Sequence, residues 1–129
     1  MEEEGVVSLW AGRADSAEAL AAYMREDYSE DGDFIPPPFA KDFGIDYYDE
    51  DFREAEYFTK PARSIRQLLK GCSYGDVVIP KFVHLLGDSF PDDVNAVVML
   101  YNFKHDTGVE ASDGEAIRLK YMGAVKYDE

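Results

Sequence analysis

A single cysteine, Cys72, stands in 129 residues, so no disulfide can form within the chain, and a reducing cytoplasm, bacterial or similar, is the default compartment. No apolar run approaches the ~20 residues needed to span a bilayer. The opening MEEEGVVSLW places acid where a secretory leader carries positive charge, and the numbering begins at Met1, so no leader is expected. No repeat and no flexible linker interrupts the chain, which predicts one domain over residues 1–129. Bases are scarce, 13 Lys and Arg against 27 Asp and Glu, for a net charge of −14. That field disfavours nucleic acid and anionic membrane as partners and suits a basic one.

What the chain does have is core material. Hydrophobic residues make up 46% and aromatics 14%, far above the disordered class. The acid is concentrated. Residues 26–56 hold twelve acids against Lys41 and Arg53, whereas residues 57–70 hold no acid and four bases, Lys60, Arg63, Arg66 and Lys70. That basic segment either folds back on the acid or forms a second surface.

GVVSLWAG (5–12) predicts a strand closed by Gly12. DSAEALAAYMRE (15–26) predicts a helix capped by Asp15 or Ser16. The prolines 36–38 predict a break from regular structure. IDYY is a possible short strand, and DEDFREAEYF is ambiguous between helix and strand. PARSIRQLLKG (61–71) predicts a short helix with Pro61 at its start and Gly71 at its end. A longer helix is expected from Asp76, with Val78, Phe82, Leu85 and Leu86 facing inward and Pro80 close to its first turn. VNAVVMLYNF (94–103) and EAIRLKYMGAVKY (115–127) predict buried strands, the second with a bulge at Gly123, joined by a loop with hairpin-type residues. The sum is an α+β fold, an antiparallel sheet packed on one face by two or three helices.

Candidate chemistry is thin. Asp27, Ser29, Asp31, Gly32 and Asp33 match the first half of a calcium loop, but the closing position is Pro38, and prolines are expected to forbid the exiting helix. An acidic turn is the simpler reading. DGD (31–33) and DED (49–51) resemble metal-holding acidic pairs, yet no Gly-rich strand–loop–helix frames them. His84, His105 and Cys72 fit no zinc spacing. His84 is expected packed among apolar neighbours and His105 at a hairpin. Bases upstream of Cys72 could lower its pKa, against a plainer reading as a part-buried thiol. Ser73, Ser89 and Ser112 lie in no nucleophile elbow. Trp10 reads as core rather than as a binding anchor. No catalytic residue, metal or cofactor is expected.

The distinctive stretch is DFGIDYYDEDFREAEYF (42–58), where seven acids fall in the first fifteen residues among interleaved aromatics. Either Phe43, Tyr47 and Phe52 anchor the segment while the carboxylates project, or tyrosines stay exposed with the acids. The second arrangement suits a binder of a basic surface. Tyr47 and Tyr48, being adjacent, point to opposite faces if extended, so one of them is expected outside.

VSLWAG, the EDGD turn, FAKDFGIDYYDEDFREAEY, NAVVMLYNF and LKYMGAVKY together resemble the bacterial Immunity protein 22 family over nearly the whole chain. Ser8, Trp10, Gly12, Asp42, Phe43, Gly44, Asp49, Asp51, Phe52 and Glu54 match its characteristic segments. Gly12 and Gly44 are expected to serve backbone shape, and Trp10 and Phe52 the core. The resemblance implies an α+β fold, no established catalytic residues to carry over, and a cytoplasmic antidote that binds the cognate toxin of a polymorphic toxin system. From the acidic charge, with carboxylates standing in for phosphates, a basic nuclease is the expected kind. The residues expected to bind it are Asp46, Tyr47, Tyr48, Asp49, Glu50, Asp51 and Glu54. Two other classes stay open: a small metal-dependent enzyme using the carboxylates of 27–33 and 46–54, and a generic acidic adaptor or nucleic-acid mimic.

Overall fold

Seven consecutive residues, Gly5 to Ala11, are buried in strand β1 (Glu2–Ala14). A strand buried on both faces must lie inside a sheet with material above and below it. In the computed structural model, which describes residues 2–106 and 108–127 and only the backbone of Pro91, β1 is the middle strand. Helix α1 (Ala17–Tyr23) follows, its first turn capped by the Ser16 hydroxyl, which accepts from Ala19 N at 3.0 Å. Next come a two-strand hairpin, β2 (Asp27–Tyr28) with β3 (Phe34–Ile35), and helix α2 (Pro38–Asp42). A single 3-10 turn (Glu50–Phe52) leads into β4 (Arg53–Ser64). Helices α3 (Ile65–Leu68) and α4 (Gly75–Leu86) precede β5 (Ser89–Phe103), β6 (Ala111–Asp113) and β7 (Ile117–Lys126).

The main sheet is antiparallel in the order β4-β5-β1-β7-β6. The expected α+β architecture is present, but its helices divide between the two faces. Trp10, Val98, Leu100 and Leu119 pack on one face with Leu20 of α1, Phe39 of α2 and Phe43. Val7, Leu9, Val97 and Met99 pack on the other with Ile65 and Leu68 of α3 and Val78 and Phe82 of α4. The reason is the unbroken apolar run of β1, which cannot leave either side wet.

Several local expectations change for physical reasons. Pro38 begins α2, at a position whose N–H has no intrahelical partner to lose, so the prolines permit a helix there. Pro61 lies within β4, between the register irregularities that follow Tyr57 and Ala62, on the sheet's edge where its missing donor is tolerated. The strands flanking loop 104–114 do not pair with each other, because β1 lies between β5 and β7. Gly123 does mark a bulge: Leu9 faces Gly123 while Trp10 faces Tyr121. Leu85 is exposed, and His84 is exposed rather than packed, on the outer side of α4. No helix among the described residues is long and apolar enough to cross a membrane.

Candidate functional site

The acidic aromatic segment leaves α2 through Gly44, whose φ of 71° suits a residue without Cβ, and is pinned by Phe43 and Ile45, both buried. Tyr48 is the next anchor. It is 3% exposed, and its hydroxyl donates to Glu26 Oε2 at 2.5 Å. Arg53 grips the same carboxylate with two donors, Nε to Oε2 at 3.0 Å and Nη2 to Oε1 at 2.7 Å. Burial pushes the Glu26 carboxyl up, but the hydrogen bonds from Arg53 and Tyr48 outweigh it and hold the group below its ordinary value. Burial first, and then the Glu26 carboxylate, raises the Tyr48 hydroxyl, which stays a neutral donor. This network ties the start of β4 to the chain just before β2.

Outside that anchor lies a surface of rings and carboxylates. Tyr47 is 58% exposed, Tyr28 49% and Phe52 44%. Phe34 of β3 seats two of them edge-on, with ring centroids 5.0 Å from Tyr47 and 5.9 Å from Tyr28. The Tyr28 hydroxyl donates to Glu50 Oε1 at 2.8 Å, a bond that lifts its pKa to about 12 and latches the hairpin to the 3-10 turn. Asp49 caps that turn, accepting from Asp51 N at 3.0 Å. Asp46, Glu50 and Asp51 are exposed.

Of the seven residues expected from the sequence, Asp46, Tyr47, Asp49, Glu50 and Asp51 therefore share this surface. Tyr48 supports it from beneath. Glu54 lies elsewhere: along β4 it points to the opposite sheet face from Arg53, where it accepts from Ser73 N at 3.1 Å and from the Ser73 hydroxyl. Phe52 is exposed rather than core, because the 3-10 turn carries it outward before β4 begins. Among the described residues no ion pair joins the basic segment to the acid of 42–58. Arg63 pairs with Asp93 and Arg66 with Asp88, both acids of the β5 region. Tyr28, Glu26 and Arg53 were not singled out by the sequence; the hairpin that brings Tyr28 to Glu50 has no periodic signal at two residues per strand.

The other candidates resolve into structure. Residues 27–33 form β2 and the turn to β3, with Ser29 O and Oγ receiving the N–H groups of Gly32 and Asp33. Among the described residues, no three His, Cys, Asp or Glu side chains are grouped to hold a metal. Burial pushes the Cys72 thiol up, the opposite of activation. Trp10 is core, ringed by Phe39, Phe43, His105 and Tyr121. His105 is buried, with Nε2 2.6 Å from Val109 O.

By architecture this is an α+β antiparallel-sheet protein carrying an acidic, aromatic outer segment. The family model described as Immunity protein 22 matches residues 7–128, and the chain belongs to that family. A toxin-neutralising role in general follows from membership, and with it the binding of a cognate toxin. No curated protein and no solved structure matched.

Proposed function

We propose that the chain neutralises a basic toxin domain, of the nuclease kind, by seating the surface built from Tyr28, Asp46, Tyr47, Asp49, Glu50 and Asp51 over the toxin's active site. The carboxylates stand where substrate phosphates would sit, and the rings supply contact area between them. The protein acts by occlusion and catalyses nothing. The observation carrying this reading is Tyr47: a large ring more than half exposed, yet held at a fixed angle on Phe34 and flanked by open carboxylates. A ring that is already ordered loses little freedom on binding.

The test uses the toxin domain encoded beside the immunity gene, inactivated for handling. Asp49→Asn/Glu50→Gln/Asp51→Asn removes charge while leaving amide oxygens that can still cap the turn and receive Tyr28. It is expected to slow association at least about tenfold with little change in dissociation. Tyr47→Ala is expected to do the reverse, speeding dissociation. An association rate untouched by the triple substitution would remove electrostatic steering by this segment.

A further inference from the structure

The sheet ends in two free edges of unequal length. At one, β6 has three residues; at the other, β4 has twelve and pairs only with β5. In an antiparallel ladder every second residue turns its N–H and C=O away from its partner strand. Among the described residues no hydrogen bond reaches the outward groups of residues 53–63. A long open edge invites another strand, and proteins that must avoid this blunt it. The far half of β4 is blunted, by Lys60, Pro61 and the register break after Tyr57. The near half is not: Arg53 to Tyr57 keep unbroken register with Leu100 to Ala96.

Grooves flank that near half on both faces of the sheet. One, of 750 Å³, is lined by Glu54, Glu56 and Phe58 of β4, Gln67 of α3 and Lys70 just after it. The other, of 680 Å³, is lined by Ala55 and Tyr57 with Leu20 of α1, Met24 and Arg25 just after it, and the paired Glu26 and Arg53. Alternate side chains of β4 thus enter alternate grooves, the pattern that a strand laid beside it would repeat. Glu56 is exposed, and among the described residues it has no partner. On the first face Glu54 is taken by Ser73, which leaves Glu56 as the unpaired carboxylate for a basic side chain, and the second face is mostly apolar around the closed Glu26–Arg53 pair.

We infer that the toxin docks by strand addition: an extended segment, basic on one side and apolar on the other, pairs with the outer edge of β4 between Arg53 and Phe58. This rests on the toxin-binding role proposed above and extends the contact from the Asp46–Asp51 surface onto the strand that follows it. A second copy of this chain fits the edge poorly. Two-fold pairing centred on the regular stretch sets Glu54 against Glu56 of the other copy, like charges on one face.

Residue-resolved amide exchange on the full chain, alone and with the inactivated toxin domain, tests the inference. In the free chain the outward N–H groups of 53–58 exchange fast and the inward ones slowly. In the complex the outward set is expected to slow at least about tenfold, in an alternating pattern that side-chain contact alone does not give. Glu56→Lys, an exposed change that leaves the fold intact, is expected to weaken binding at least about tenfold. A stoichiometric complex with unchanged exchange over 53–58 overturns strand addition and leaves toxin binding standing. No complex at all overturns both. Slowing without toxin that grows with protein concentration assigns the edge to a second copy and overturns the inference.

Discussion

Glu26 gathers three hydrogen bonds into one carboxylate whose side chain is only 5% exposed. A charge so enclosed is costly unless its partners are kept. Tyr48→Phe removes one neutral donor and is expected to lower unfolding free energy by about 1–2 kcal/mol in urea titrations. Arg53→Met leaves the carboxylate without its cation and is expected to cost about 3 kcal/mol. The same group predicts a pH dependence. Its folded pKa lies below the ordinary 4.5, so its contribution is fully present above that value and is lost as pH falls through the folded pKa. The stability advantage of the native chain over Glu26→Gln should hold at neutral pH and disappear on acidification below about 4.5. Taking the difference between the two chains cancels the titration of the other carboxylates. The adjacent tyrosines were legible as one in, one out; which was which depended on Phe34 and Glu26, residues remote in sequence.

Strands β1, β5 and β7 were readable because each carries a β-branched or apolar run with turn residues at its ends. β4 was not, since its apolar residues are sparse and Pro61 resembles a helix start. An edge strand buries less and so writes a weaker pattern. The helices' division between two faces was present in the sequence as the unalternating run of β1, whose meaning emerges only once the strand is known to be central. The closeness of β1 to β7 gives a sharp test. A Cβ on Gly12 would overlap the backbone carbonyl of Arg118, in a strand that cannot move aside without breaking the ladder. Gly12→Ala is expected to destabilise the fold by about 3 kcal/mol or more in chemical denaturation. Gly71→Ala, where nothing lies within 4 Å, should leave the midpoint unchanged.

At the scale of the whole molecule, a net charge of −14 acts at a distance before any ring makes contact. Raising salt from about 0.01 M to about 1 M shortens the screening length from roughly 30 Å to roughly 3 Å. If the proposed contacts hold, stopped-flow association with the toxin domain should slow at least about tenfold across that range, while dissociation should move little. Equal sensitivity of both rates would mean that the charges hold the complex together rather than guide its formation. The concentration of acid in residues 26–56 was plain from composition. That the basic stretch after it engages β5 instead of shielding it was not, because sequence distance and charge sign favour the nearer acids and only the course of β4 carries Arg63 and Arg66 away from them.

The middle strand of the sheet is also the one synthesised first. Both of its neighbours arrive late, one beginning at Ser89 and the other at Ile117. Until β5 has been made β1 is an apolar ribbon with two bare edges, and its second edge stays bare until β7 follows. Protection by a fold wired in this way begins only after its last strand, β7, has been made, so the delay is set by translation through that strand plus a folding step dominated by distant pairings.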